Sequence, residues 1–277
     1  MPALPSTLTH FHPTEDAPVL AYLDPHGVAT LILNRPEKRN AFDAEMIVGM
    51  QHYLEIFASY DELRLLIFKA QGNHFSAGAD LNWMRSMADN SYPENLDDAR
   101  QLAELMHQLD TFPVPTIITV QGFAIGGAVG IICCCDIALG DESCRLALSE
   151  VKVGLIPATI MPYVNRTLGQ RQTRRYSLTA EWISAKKAEE LGLFHQITAT
   201  PEERENSLAS LKQKLMQNSP QALRAVKQLC AYNYAHPLDD SLRQHTSDLI
   251  AQIRTSPEGQ EGLAAFLEQR DPNWRAQ

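Results

Sequence analysis

The chain has 277 residues, 44% hydrophobic and 21% charged, enough for one large domain with a real core, alone or with a small appendage. Its 33 acidic and 24 basic residues leave a net charge of −9, which opposes nonspecific nucleic-acid binding, because that needs a basic footprint. No apolar run has the length of a membrane span, and Met1–Pro18 carries Glu15 and Asp16 and lacks an apolar core of signal length. A loose tail is expected over residues 1–18, and the expected compartment is the cytoplasm.

In chain order, Val19–Leu23 and Val28–Leu33 flank the turn signal Asp24-Pro25-His26-Gly27 and predict a hairpin. Asp43–Ser59 predicts a helix capped by Asp43. Leu63–Ala70 predicts a buried strand, the polar stretch Asp89–Asn95 a mobile loop, and Asp97–Leu109 a helix. Thr116–Val120 predicts a strand and Gly126–Cys135 a helix apolar nearly all round, hence interior. Short strands are expected at Ile137–Leu139 and Arg145–Leu148, and helices at Gln170–Thr179 and Ala185–Leu191 before the stop signal Gly192. This alternation argues for an α/β core, placed at 19–205. From Pro201 the strand signals stop. Helical patterns broken by Ser219-Pro220, His236-Pro237 and Ser256-Pro257 place a helical region at 206–277.

Two glycine-rich turns concentrate the chemistry. His74-Phe75-Ser76-Ala77-Gly78-Ala79-Asp80 follows one apolar strand, and Gly122-Phe123-Ala124-Ile125-Gly126-Gly127-Ala128-Val129-Gly130 follows another. A small-residue turn between strand and helix leaves backbone N–H groups free and admits a ligand closely. Two such turns brought together make an oxyanion hole. Ser149-Glu150-Val151-Lys152-Val153-Gly154-Leu155-Ile156-Pro157 supplies a carboxylate. The five cysteines, three of them adjacent at Cys133–Cys135, have no CxxC spacing; buried free thiols are expected, with no disulfide framework and no metal site.

Together these strings, with Asn34-Arg35-Pro36, Asn40-Ala41 and Cys135-Asp136 in order, resemble the crotonase (enoyl-CoA hydratase/isomerase) superfamily from about Gly27 to Trp274. The resemblance implies a spiral of ββα repeats with a helical C-terminal region that covers the site and mediates a homotrimer or a dimer of trimers. It implies an acyl-CoA substrate and no permanently bound cofactor. It places the oxyanion donors at the N–H groups of Ala79 and Gly127, and coenzyme A near Lys38, Ala41, Ala77 and Ala79. Phe266 matches an aromatic that packs on a neighbouring subunit's adenine; the family's lysine three positions later is Gln269 here, with Arg270 beside it.

One departure is informative. The best-known hydratases carry two glutamates; Glu150 fills one position, but the other is Gly130. Glu104, Asp80 and Asp141 lie near the motifs and match neither. A single glutamate is shared by Δ3-Δ2-enoyl-CoA isomerases and by hydratases of 3-methylglutaconyl-CoA and γ-carboxygeranoyl-CoA. Ala79-Asp80-Leu81-Asn82-Trp83-Met84, Asn95–Arg100 and Ser149–Ala158 resemble the second group. The expected reaction is therefore reversible hydration of a branched, carboxylated 2-enoyl-CoA, with Glu150 as acid and base. The alternatives are the isomerase and a non-catalytic acyl-CoA- or RNA-binding homologue. A substrate carboxylate needs a cation or several donors, for which Arg85, Lys152, His74 and His107 are candidates. Trp83 and Met84 are candidates for the acyl pocket.

Overall fold

The computed structural model describes residues 2–275; the ends of the two expected terminal segments, Met1, Ala276 and Gln277, lie outside the described residues. Two compact units are present. Of the described residues, one comprises 2–112 and 116–208, the other 113–115 and 209–275.

The first unit is built on a seven-stranded sheet. Its strands in chain order are β1 (Thr9–His10), β2 (Val19–Leu23), β3 (Val28–Leu33) and β4 (Leu65–Ala70). The predicted hairpin is β2–β3, paired Val19 to Leu33. Helix α1 (Ala44–Ala58) joins β3 to β4; the Asp43 side chain accepts from the Met46 N–H, as a cap should. Helices α2 (Leu81–Asp89) and α3 (Tyr92–Asp110) follow. The loop expected over Asp89–Asn95 is therefore mostly helix. Ser91 and Glu94 close a capping box that starts α3 one turn earlier than its apolar periodicity shows.

Strands β5 (Thr116–Val120) and β6 (Phe123–Ile125) then lead into helix α4 (Gly127–Cys134), and β7 (Ile137–Asp141) and β8 (Arg145–Ala147) lead into a 3-10 turn, Glu150–Val153. After α5 (Met161–Leu168) and α6 (Gln170–Thr179) come β9 (Ile183–Ser184), α7 (Ala185–Glu190), β10 (Gln196–Thr198) and α8 (Pro201–Met216). The large sheet runs β1-β2-β3-β4-β5-β7-β10, parallel from β3 onward, and a small sheet runs β6-β8-β9. The first strand of each β5–β6 and β7–β8 pair joins the large sheet and the second joins the small one, the expected ββα progression.

The core of this unit includes Phe57, Phe68, Phe75 and Phe194, each fully buried. Each such side chain stabilises the fold by about 1.5–3 kcal/mol relative to exposure, so the turns carrying the motifs hang on a rigid frame. Helix α4 is interior as predicted, with every residue from Ala128 to Cys134 buried. The Asp136 carboxylate at its end accepts from the N–H and hydroxyl of Thr116, tying α4 to the start of β5. Cys133, Cys134, Cys135 and Cys144 are buried free thiols, and burial pushes Cys133 and Cys144 up to about 12. Cys230 departs from the expectation: it is free but exposed.

The segment expected as a loose tail is partly tied down. Thr9 and His10 pair with Leu23 and Tyr22, and His12 is buried against the Ala21 backbone. His10, His12 and Glu15 converge with ligand atoms within 4.8 Å. His12 Nδ1 lies 3.1 Å from both the N–H and the carbonyl of Ala21, and its Nε2 lies 3.5 Å from the Glu15 carboxylate.

The second unit holds α9 (Pro220–Ala235), α10 (Asp240–Thr255) and α11 (Pro257–Glu268). Ser219, Asp239 and Ser256 cap them, each accepting an N–H three residues on. These helices leave Tyr234, Leu238, Leu263, Phe266 and Leu267 more than half exposed. Among the described residues no helix is long and apolar enough to cross a membrane.

Candidate active site

The motif Asn34-Arg35-Pro36 with Asn40 is structural. Asn40, fully buried, accepts the Arg35 N–H at Oδ1 and donates from Nδ2 to the carbonyls of Gln71 and His74, each at 2.8 Å. Arg35 pairs with Asp43 and, at 3.2 Å, with Asp80. Asp80 caps α2 by accepting from Asn82 and Trp83. Burial pushes its carboxyl up, but those amides with Lys38 and Arg35 outweigh it and hold it below the ordinary range. Asp80 is thus a permanently charged strut.

That strut sets the first glycine-rich turn. Phe42 donates to the Gly78 carbonyl at 2.7 Å and accepts from Asp80 N–H at 2.8 Å, a parallel bridge to Ala79. Because the flanking groups face Phe42, the N–H and carbonyl of Ala79 itself point the opposite way. The second turn is stitched to the first by a bridge from Ser76 to Ala124: Ser76 N–H donates to the Phe123 carbonyl and Ile125 N–H to the Ser76 carbonyl. Gly126, at φ +59°, then turns the chain from β6 into α4. Gly127 begins the helix, where an N–H has no intrahelical acceptor and the peptide dipoles favour an anion. Neither Ala79 N–H nor Gly127 N–H has an acceptor among the described residues.

Both turns border a cavity of about 480 Å³ that Glu150 also lines. An added Cβ on Gly126 would stand 3.0 Å from Glu150 Oε1, so the carboxylate rests against the second turn, and a side chain there would displace it. Glu150 Oε2 is buried without a partner, and burial pushes the carboxyl above its ordinary value. A half-buried carboxylate with Oε2 unpartnered and a raised pKa, beside two free N–H donors, is equipped to move protons next to a developing oxyanion.

The opposite wall explains Gly130. A Cβ placed there would meet Ile160 Cγ2 at 2.3 Å and Met106 Sδ at 3.1 Å. The space a second carboxylate would occupy is filled by the Ile160 side chain, which lines the cavity. The remaining lining includes Phe42, Leu81, Trp83, Met84, Leu102 and Leu155, and an adjoining cavity of about 540 Å³ shares Trp83, Met87, Leu102 and Leu155 and adds Asn95, Asp98 and Ala99. Phe42, Leu102 and Ile160 carry no motif signal; only the folded chain brings them here.

Other candidates are distributed differently. Ala77 and Ala79 line the cavity; Lys38 does not, and its Nζ lies 3.5 Å from Asp80. Ala41 is buried, its carbonyl accepting from Arg35. Phe266, on α11, is 82% exposed. Of the four cations considered for a substrate carboxylate, only Lys152 borders the cavity. Arg85 donates to Asn82, His74 stacks on Phe123 and accepts its N–H, and exposed His107 lies in the last turn of α3, its carbonyl accepting from Thr111. Asp141 pairs with Arg204 at 3.1 Å and Glu104 is exposed; neither lines the cavity.

The chain belongs to the enoyl-CoA hydratase/isomerase family, whose sequence model matches residues 24–277. Its fold is the crotonase spiral and its class that of an enoyl-CoA hydratase-type lyase. A solved enoyl-CoA hydratase from Shewanella pealeana is 48% identical with a TM-score of 0.89, over 94% of this chain and 97% of that one. The 2,3-dehydroadipyl-CoA hydratase of Escherichia coli is 29% identical over 249 residues, 90% of this chain and 95% of that protein. The mevalonyl-coenzyme A hydratase sidH of Aspergillus fumigatus is 28% identical over 275 residues, 96% and 98% of the two chains.

Proposed function

We propose that this enzyme reversibly hydrates a branched, carboxylated 2-enoyl-CoA, with 3-methylglutaconyl-CoA, which yields 3-hydroxy-3-methylglutaryl-CoA, the best-fitting substrate. The observation that carries the mechanism is a single carboxylate, Glu150, facing an apolar wall at Ile160 across a cavity bordered by Ala79 and Gly127. Glu150 takes a proton from water as the oxygen bonds to C3. The C2=C3 electron pair moves onto the thioester oxygen, where the Ala79 and Gly127 N–H groups hold the charge. The protonated Glu150 then returns its proton to C2 as the carbonyl re-forms. One residue serves as base and then acid, so both additions occur on its face of the acyl plane.

For the acyl group, support comes from the matched strings around Trp83, Asn95 and Glu150 and from the two hydratases named for a dicarboxylic and a C3-methyl acyl-CoA. Ala77 and Lys38 are proposed to meet the adenine and a phosphate of coenzyme A. The exposed apolar side chains of the second unit, Phe266 among them, support assembly into a homotrimer or a dimer of trimers. The test is incubation with 3-hydroxy-3-methylglutaryl-CoA, following the conjugated-thioester absorbance and confirming product by mass. Product formation that Glu150→Gln abolishes is the expected result. Conversion of a 3-enoyl-CoA to the 2-enoyl form without hydration assigns the same base to an isomerase instead.

A further inference from the structure

We infer that Lys152 is the residue that selects for a carboxylate at the far end of the acyl chain. This rests on the substrate reading above. Lys152 lies on the same 3-10 turn as Glu150, two residues on, and is the one cation among the residues lining the catalytic cavity. Lys152 is exposed, and its backbone N–H donates to the Ser149 carbonyl at 3.0 Å, but its ammonium makes no ion pair or hydrogen bond with any described residue. Glu150 is itself unpaired at Oε2, and burial sets its behaviour, so the ammonium is not spent on the catalytic carboxylate.

The rest of the cavity offers a carboxylate no other cation. Its walls are mainly apolar, and an ionised group buried there without a partner is strongly disfavoured. The adjoining cavity presents Asp98, which repels an anion. Trp83 borders both cavities and holds a buried indole N–H without a partner, a second donor beside the route between them. An acyl chain with a terminal carboxylate is therefore drawn toward Lys152 and away from Asp98, while an uncharged acyl chain gains nothing from either.

The experiment compares two thioesters with the same branched skeleton, 3-hydroxy-3-methylglutaryl-CoA and 3-hydroxy-3-methylbutyryl-CoA, on wild type, Lys152→Met and Lys152→Arg. A hydrogen-bonded charge is lost in the Met variant, so its preference for the carboxylated substrate, as the ratio of kcat/KM values, is expected to fall about 10–100-fold. The fall should lie in KM, and Lys152→Arg should recover most of it. An unchanged ratio overturns the inference. So does an equal loss on both substrates, which would place Lys152 against the coenzyme A portion. Wild type that processes only the uncharged thioester breaks the substrate reading itself, an outcome visible before any variant is compared.

Discussion

The two walls of the catalytic cavity are made of equally ordinary sequence and do opposite things. On one side Glu150 holds a half-buried carboxylate against Gly126, its Oε2 without a partner. On the other, α4 passes so close to Ile160 and Met106 that position 130 has no room for any side chain. The difference shows that the absent second glutamate is not a gap awaiting a water-binding group. The site is packed shut there with hydrocarbon, so the proposed proton transfers fall on the Glu150 face alone. Retained activity in such a site requires one group to do two jobs in sequence, which a carboxylate with a raised pKa does better than an ordinary one.

The comparison breaks most directly at Glu150. Replacing it with Gln is expected to lower kcat by about 10²–10⁴-fold, the usual contribution of a positioned acid–base group, with little change in KM. A loss of only a few-fold, measured at saturating substrate, would move the chemistry to another residue.

On the other wall, Gly130→Ala is expected to destabilise the fold by about 1–3 kcal/mol through overpacking, read as a lower urea midpoint at unchanged slope. Combining it with Ile160→Ala should recover most of that loss, because the clash is with the Ile160 side chain. Additive losses in the double variant would show that the helix is strained by something other than Ile160.

A subtler consequence is in the pH profile. Since kcat/KM for hydration needs ionised Glu150, it is expected to rise with pH through a midpoint above the ordinary 4.5, with no falling limb from a second carboxyl group. A midpoint at or below 4.5 would contradict a carboxylate whose burial outweighs its backbone hydrogen bond.

The smallest effect concerns stability. A carboxyl whose folded-state pKa is raised binds its proton more tightly folded than unfolded. Relative to acid conditions it therefore destabilises the fold progressively as pH rises from the unfolded pKa through the folded one, and the cost is complete above the folded pKa. Glu150→Gln is accordingly expected to raise the thermal midpoint at pH 7 and to lose that advantage at acid pH. A variant less stable than wild type at neutral pH would mean that the carboxylate has a stabilising partner.

Legibility differed between elements for physical reasons. The hairpin β2–β3, α1 with its Asp43 cap, interior α4 and the Pro-punctuated helices of the second unit follow from local period, caps and breakers, which act over a few residues. The early start of α3 carries no apolar signal, because a capping box begins it. Strands β6, β9 and β10 are two or three residues long, too short to show a period. Around the site, the glycine-rich turns and Glu150 were visible because their residue types are demanded by backbone approach and proton transfer. The roles of Asn40 and Asp80 as struts were not, since their partners Gln71, His74 and Arg35 lie 31 to 45 residues away.

By itself, then, the order of residues determined the family motifs, the α/β alternation, the presence of one matched carboxylate and the glycine at position 130. Tertiary structure alone decided what that glycine means. A one-dimensional sequence names the residue with no side chain, but which neighbour fills the vacated volume depends on how α4, α3 and the segment before α5 pack in three dimensions. The same holds for Lys152: four cations near the motifs are equivalent along the chain, and only the folding of the 3-10 turn beside the cavity separates one of them from the rest.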